Sequence, residues 1–442
     1  MDVTQHRILP RGGLSLPCIG MGCAPLGGLY QPVSDAQARS TLDGAWEAGV
    51  RFFDTAPYYG YTQSEHRLGA ALRERPRNEF VISTKVGRLM RPDASVRPGD
   101  DGFAAPLPFR PQYDYTYDGI LRSHDDSLQR LGLERIDILF VHDIGSVTHG
   151  EHDQQYWRQL LDGGGFRALD QLRSSGQVKA VGLGVNECEI VLRAMGEFDL
   201  DCTLLAGRYT LLEQASLSSL LDLCVERGNA IVIGGPFNSG VLAGNGKFNY
   251  ADAPDAILQR VAQLDAICRE FHVPLQAAAL QFPLAHPAVV SCIPGGQDLA
   301  QLRQNLDWFA TPLPAGLWMA LQGAGLIDAR APVPSPVPAG ATLCASTPIS
   351  ISGNWPRVPA VGRHRPWPRS TAILRPTTWR RCWPNMAWQA RCWCSRCPLR
   401  RIPTGCWRWP SAPALSAPWW AGPICWLSMH WPRLPAWRQT AS

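Results

Sequence analysis

The stretch VRFFDTAPYYGYTQSEHRLGAALRERPRNEFVISTK, residues 50–85, holds one complete structural period. An apolar run at 50–54 breaks off at Asp54, helical spacing follows at 64–73, and a second β-branched run at 80–85 ends on Lys85. Strand, helix, strand is the unit of a parallel sheet. Outward from this unit the alternation recurs, with apolar runs at 17–22, 136–142, 178–184, 202–207, 230–235 and 288–293. Helical spacing fills 34–48, 117–131, 165–175, 187–195, 213–227, 274–285 and 299–308. Eight strands with eight helices predict an α/β fold of the (β/α)8 or TIM-barrel type rather than an open doubly wound sheet. Residues 6–9 and 14–16 flank the turn Pro10-Arg11-Gly12-Gly13, which predicts an N-terminal β-hairpin plugging the bottom of the barrel. The Pro- and Asp-rich segment 87–115 follows the third strand and is the expected substrate loop.

Barrels gather their chemistry where strands end at the C-terminal face, so the polar residues that terminate apolar runs carry the functional reading. Asp54 ends the second run and leads into Thr55-Ala56-Pro57-Tyr58-Tyr59-Gly60, Lys85 ends the third, and His142 ends the fourth. Reduction of a carbonyl needs a group that protonates the oxygen, and the reverse reaction needs the same group as a base. A tyrosine serves both directions if a nearby ammonium lowers its pKa and a carboxylate holds that ammonium in place. Tyr59, Lys85 and Asp54 supply those three roles, and a neutral His142 would orient the carbonyl oxygen. Singly, each has an ordinary explanation: a surface tyrosine, a structural ion pair, a core histidine. Jointly, at successive strand ends, they form a site. His66, His124, His149 and His152 lack such company and are expected to be solvated or loop residues, and Tyr113, Tyr115 and Tyr117 are left outside the site.

The first apolar run is not followed by GxGxxG, so the Rossmann fingerprint is missing and a nucleotide would have to bind differently. The motifs do resemble those of the aldo-keto reductase family. FFDTAPYYGYTQSEHRLG at 52–69 is similar to its Asp-x4-Tyr-Gly signature with the following Ser-Glu, ISTKVG at 82–87 to its lysine strand, and LFVHD at 139–143 to its histidine strand. VGLGVNE at 181–187, IGGPFNSGVL at 233–242 and IPGGQDLAQLRQN at 293–305 fall where that family binds its nicotinamide cofactor. The segments at 113–145, 199–214 and 279–295 resemble the branch of D-threo-aldose 1-dehydrogenase, L-fucose dehydrogenase and pyridoxal 4-dehydrogenase.

The resemblance implies NADP or NAD as cofactor. It places Asn186 on the nicotinamide carboxamide, the stretch with Gly235, Pro236, Phe237, Gly240 and Leu242 on the pyrophosphate, and Gly295, Gln297, Arg303 and Asn305 at the adenosine end. Gly295-Gly296 opening a helix is an anion site on physical grounds as well. Ala206 stands where many members carry Gln, and Gly234 where many carry Tyr, so the coenzyme stays open. The implied activity is hydride transfer between NAD(P) and the anomeric carbon of an aldose, giving a lactone, or a small aldehyde. The alternative is an NADP-binding regulatory barrel with negligible turnover. A phosphosugar isomerase lacks a suitably placed carboxylate base.

Composition divides the chain. All 37 Asp and Glu lie at or before Asp328, while 14 of the 42 basic residues lie after residue 330, so the net +5 averages an acidic barrel of residues 1–330 with a basic tail. The acidic part asks for neither nucleic acid nor membrane, and no secretion signal is visible at 1–11, so a cytoplasmic enzyme is expected. Cys18, Cys23, Cys188, Cys202, Cys224, Cys268 and Cys292 lack metal-ligand spacing and are expected to be reduced thiols. The tail, 331–442, has no Asp, Glu, Lys, Phe or Tyr but 13 of the 17 tryptophans. That composition predicts a disordered segment and points to a frameshifted translation from GC-rich codons. Its cysteines lack the usual zinc pattern, and the uncharged stretch 409–432 is interrupted by prolines, so neither a metal site nor a membrane span is expected there.

Overall fold

The computed structural model describes residues 1–334, and the expectations for the remainder of the tail lie outside the described residues. Strands β1 (His6–Ile8) and β2 (Ser15–Pro17) pair antiparallel, as the turn at 10–13 predicts. The parallel sheet begins with β3 (Met21–Gly22), β4 (Phe52–Asp54) and β5 (Val81–Val86). Next come β6 (Arg88–Pro92) and β7 (Phe109–Tyr113), a separate antiparallel hairpin. The sheet resumes with β8 (Ile138–His142), β9 (Ala180–Val185), β10 (Cys202–Ala206) and β11 (Ala230–Gly234). After a small hairpin, β12 (Lys247–Phe248) with β13 (Ala251–Asp252), the sheet ends at β14 (Val289–Ile293). Neighbours in the eight-stranded sheet follow chain order.

The sheet closes on itself. Ile19 bridges Cys292 and Gly22 bridges Gly295 in parallel. The Cys292 N–H donates to Cys18 O at 2.9 Å and the Gly20 N–H to Cys292 O at 3.0 Å. Scattered bonds of this kind, Gly22 N–H to Pro294 O at 3.0 Å among them, join the first run to the last, and β3 is shorter than the apolar run at 17–22. Inside the barrel Leu9, Leu14 and Leu16 of the hairpin pack with Phe52, Ile138, Phe140, Cys202 and Val232, filling its floor. The outward faces of the strands pack under the helices.

All eight expected helices form, among them α1 (Asp35–Glu47), α2 (Gln63–Leu72) and α3 (Tyr117–Leu131). Local chemistry sets their ends: the Ser34 side chain accepts from Gln37 N, that of Thr116 accepts from Gly119 N, and Gly132 stops α3 in the left-handed region. The β8–β9 connection adds α4 (Ser146–His149) and α5 (Asp153–Leu161) before the expected α6 (Gly165–Ser174). After α7 (Glu189–Glu197), the expected helix at 213–227 appears as a π-helical turn at Leu217–Leu221 running into α8 (Asp222–Arg227). Then α9 (Asp255–Glu270), α10 (Leu275–Gln281), α11 (Leu299–Ala310) and α12 (Ala315–Gly323) complete the described chain, α9 and α12 being additions to the expected set.

The segment 87–115, expected as a loop, is instead the β6–β7 hairpin with a docked tip. Tyr30 N donates to Gly102 O at 2.8 Å, Ala104 N to Gly28 O at 2.9 Å, and Leu107 N to Gly60 O at 3.2 Å. It therefore forms a fixed wall over the strand ends. No helix among the described residues is long and apolar enough to cross a membrane.

Candidate active site

Asp54, Lys85 and His142 end β4, β5 and β8, three strands adjacent in the sheet, and their side chains share the barrel mouth. Lys85 Nζ donates to Asp54 Oδ2 at 2.7 Å and to Thr55 O at 2.9 Å, while Ser83 Oγ donates to Asp54 Oδ1 at 2.7 Å. The ammonium also lies 4.7 Å from the Tyr59 ring centroid. The His142 ring stands edge-on to that of Tyr59, with centroids 6.0 Å apart. The structure thus brings all four sequence-predicted residues together.

The loop that carries Tyr59 is held from beneath. Ser64 Oγ donates to Cys23 O at 2.8 Å and lies 2.9 Å from Thr55 Oγ1, and Ser64 N donates to Tyr59 O at 3.1 Å. Gly60, at φ +64°, packs its backbone directly on that of Gly27, where a Cβ on either residue would collide with the other. Glu65, the second residue of the Ser-Glu pair, is buried, accepts from Thr84 Oγ1 at 2.6 Å and pairs with Arg130.

Burial sets the protonation states. It raises the Asp54 carboxyl above its ordinary range, with Lys85 and Ser83 pulling back. Burial by itself would lower the Lys85 ammonium, but Asp54 and Tyr59 facing it hold it above its usual value, so it stays charged. His142 is pushed well below its usual value by burial, then by Arg88 and Lys85, and is a neutral imidazole. For Tyr59 the expectation needs correcting. Lys85 does favour the phenolate, but burial outweighs it and the phenol is raised, so in this state Tyr59 holds its proton.

The residues expected at the cofactor lie at the ends of β9, β11 and β14, the last two being neighbours. Gly235 and Gly295 expose backbone there, and Asn305 is buried with Nδ2 donating to Gly295 O at 3.0 Å. Asn186 is half-buried at the end of β9, and its carbonyl accepts from Arg208 Nε at 2.6 Å. Gln297 precedes α11, its N–H bound by Gln301 Oε1 at 3.1 Å, and Arg303 is exposed one turn into that helix. Phe237 and Gly240 are half-buried, whereas Pro236 and Leu242 are buried, Leu242 offering its carbonyl to Gln276 at 3.1 Å. These features suit an extended anionic nucleotide: two exposed glycine backbones on adjacent strands, the N-terminus of a twelve-residue helix and an exposed arginine. Ala206 and Gly234 are register partners on β10 and β11, so both small residues border the same side of the mouth.

Two residues discounted from sequence prove to be structural partners of the site. His149 is buried, not solvated, with Nε2 at 2.9 Å from Tyr115 Oη, and Tyr115 in turn donates to His142 O at 2.8 Å. Burial, then Arg88, lowers His149 to about 4. His124 is likewise buried, within α3. Arg88, ion-paired with Asp143, was missed outright, although it follows ISTKVG and Asp143 ends LFVHD. Among the described residues all seven cysteines are free, and no group of His, Cys, Asp and Glu is arranged to hold a metal.

Known proteins are similar to this chain in sequence and in fold. The family model described as "Aldo/keto reductase family" matches residues 18–324. The chain is 51% identical over 341 residues to pyridoxal 4-dehydrogenase of Microbacterium luteolum, covering 74% of this chain and 99% of that protein. It is 43% identical over 324 residues to D-threo-aldose 1-dehydrogenase of a Pseudomonas species, covering 71% and 96% respectively. In fold it is similar to an aldo-keto reductase from Bacillus halodurans in its holo form, with TM-score 0.56, 24% identity, and 74% and 97% of the two chains covered. The chain therefore belongs to the aldo/keto reductase family and is an NAD(P)-dependent oxidoreductase.

Proposed function

We propose that the protein oxidises a small cyclic hemiacetal at its carbonyl-level carbon, an aldose at the anomeric position to give a lactone, or a small aldehyde of comparable size such as pyridoxal. The arrangement that carries this reading is Lys85 between Asp54 at 2.7 Å and the Tyr59 ring at 4.7 Å, with neutral His142 across from it. The two relatives named for pyridoxal and for an aldose support the substrate class, since both substrates form intramolecular hemiacetals. L-fucose is the sugar proposed first, and a cytoplasmic setting suits the free cysteines.

When bound, the nicotinamide supplies the hydride acceptor or donor. Asn186, the Gly235–242 segment and residues 295–305 with Arg303 would hold it. His142 donates a hydrogen bond to the substrate oxygen and fixes its position without bringing charge. Tyr59 gives its proton to that oxygen in reduction and takes it back in oxidation. Lys85 stabilises the phenolate left behind, and Asp54 keeps the ammonium charged and aimed. The walls formed by the β6–β7 hairpin and the Tyr59 loop exclude water from this exchange.

The test is reduced-nicotinamide formation by the purified chain with NAD and NADP in parallel, against L-fucose, other aldoses and pyridoxal, with Tyr59→Phe as control. Turnover that the control loses establishes the dehydrogenase. Cofactor binding with no turnover of any substrate would instead identify a regulatory barrel.

A further inference from the structure

Beside the four proposed catalytic side chains, the barrel mouth holds a second charged pair. Arg88 is only 4% exposed and its guanidinium lies between the rings of Tyr58 and Tyr113, 4.3 and 5.3 Å from their centroids. It is ion-paired with Asp143 Oδ2, which also stands 3.4 Å from His142 Nε2. The two are not hydrogen-bonded across that gap, so an Nε2–H is left to donate to a substrate oxygen. Arg88 engages only one of the two carboxylate oxygens. Asp143 Oδ1 has no hydrogen-bond partner among the described residues, and the side chain keeps 26% exposure while Arg88 is sealed. Asp143 also occupies the left-handed region at φ +43°, an uncommon conformation for a side-chain-bearing residue, and its N–H is bound by Gly184 O at 2.9 Å.

We propose that Asp143 is a specificity-determining residue whose free Oδ1 accepts a hydrogen bond from a substrate hydroxyl next to the reacting carbon. The inference rests on His142 orienting the carbonyl oxygen. An oxygen bonded to Nε2 lies about 2.8 Å from it. With Asp143 Oδ2 3.4 Å from the same nitrogen, Oδ2 is at most about 6 Å from that oxygen, and Oδ1 lies about 2 Å from Oδ2 on the same carboxylate. A hydroxyl on the adjacent carbon, about 3 Å from the carbonyl oxygen, spans the gap with an ordinary hydrogen bond. Arg88 completes the device. A bare carboxylate beside an oxygen gaining negative charge would oppose the reaction, and the buried guanidinium offsets that charge while leaving Oδ1 able to accept. The same carboxylate disfavours substrates carrying a carboxylate or phosphate at the adjacent position.

The experiment compares kcat/KM for 2-hydroxypropanal and propanal, which differ by one hydroxyl, in the reduction direction with wild type and Asp143→Asn. Wild type is expected to favour the hydroxylated aldehyde by about 10- to 100-fold, the range of a hydrogen bond to a charged group, and the variant to bring the ratio within about threefold of unity. Because Asp143→Asn leaves Arg88 buried without a partner, the double variant Arg88→Met with Asp143→Asn is measured alongside it and is expected to show the same collapse. A wild type without preference overturns the proposal, as does a variant that loses both activities equally and keeps the ratio, since Asp143 would then only position His142. A wild type that turns over neither these aldehydes nor L-fucose, other aldoses or pyridoxal overturns the proposed function, and this inference with it.

Discussion

Lys85 Nζ stands 2.7 Å from Asp54 Oδ2, and neither side chain is more than 3% exposed. Such a pair is held together by what its separation would cost. Asp54→Asn leaves a buried ammonium facing a neutral amide, and the expected loss of stability is about 3–5 kcal/mol. The double variant Asp54→Asn with Lys85→Met removes both charges and is expected to lose clearly less than the sum of the two single losses. Urea denaturation midpoints of the four proteins check this. Additive losses would mean that the two groups do not depend on each other.

Tyr59→Phe deletes one oxygen from a buried ring and leaves the Asp54–Lys85 bond in place. The expected outcome is a fall in kcat of about 10²- to 10⁴-fold, the usual worth of a positioned proton donor. Dissociation constants for NAD and NADP, followed by quenching of protein fluorescence, are expected to stay within about twofold, because the segments proposed to hold the cofactor lie at the ends of β9, β11 and β14. A parallel loss of cofactor binding would show that the tyrosine shapes the nucleotide site.

The alternation of apolar runs with helical spacing made the barrel legible, since each strand buried on both faces must read as a short continuous apolar segment. The four site residues were legible for a related reason: a charged or polar group at the end of such a run needs a purpose. Arg88 and Asp143 were not, because each lies just past a strand end, and their pairing depends on how β6 leaves the sheet, which no periodicity records. His149 was misjudged because α4 is a single turn whose burial comes from Tyr113, Tyr115 and Tyr156 around it. The direction of the Tyr59 shift failed similarly. Lysine proximity can be read from order along the chain, whereas desolvation is a property of the assembled mouth.

His142 is depressed well below its usual value and Tyr59 is raised above its own. Reduction by the proposed mechanism uses neutral His142 and protonated Tyr59, so neither group titrates between about pH 6.5 and pH 10, where their unperturbed values lie. A flat kcat/KM profile for reduction is expected across that window. An acid limb near pH 6.5 that vanishes in His142→Gln would show the imidazole to be ordinary. Stability follows a different group. His149 is lowered to about 4, so between that value and its unfolded value near 6.5 the unfolded chain binds more protons than the folded one. Stability therefore rises with pH across that window and is lost as pH falls through it. His149→Gln is expected to lessen that slope in denaturation midpoints measured from pH 7 to pH 4, values of order set by the same titration.

Gly184 lies on β9, two strands along the sheet from Lys85 on β5, and faces the lysine stem. A Cβ placed there would stand 3.3 Å from Lys85 Cε and 3.2 Å from Phe140 Cβ. Lys85 is fixed at its tip by Asp54 and Thr55 O, so its stem has little freedom to retreat. Gly184→Ala is therefore expected to cost about 1–3 kcal/mol of stability through overpacking, and to lower kcat about tenfold by moving the ammonium off Tyr59. Stability measured by urea and kcat by steady-state kinetics decide the matter. Unchanged kcat would show that the ammonium's position tolerates the shift.

Leu16 tests the opposite end of the barrel. It is fully buried and packs with Leu9, Phe52, Ile138 and Phe140 in the floor formed by the β1–β2 hairpin. In this architecture the bottom face serves stability and the top face chemistry. Leu16→Ala removes three carbons from a packed interior, and the expected cost is about 2–5 kcal/mol, the lower end applying if the hairpin settles inward. Because Phe52 lies on the same strand as Asp54, with Asp54 fixed by Lys85 and Ser83 above it, the defect should not reach the ion pair. At a temperature well below the unfolding midpoint, kcat is expected within about twofold of wild type. Equal losses in stability and kcat would mean that the floor and the catalytic layer move as one body, and the hairpin would then be part of what positions Tyr59 and Lys85.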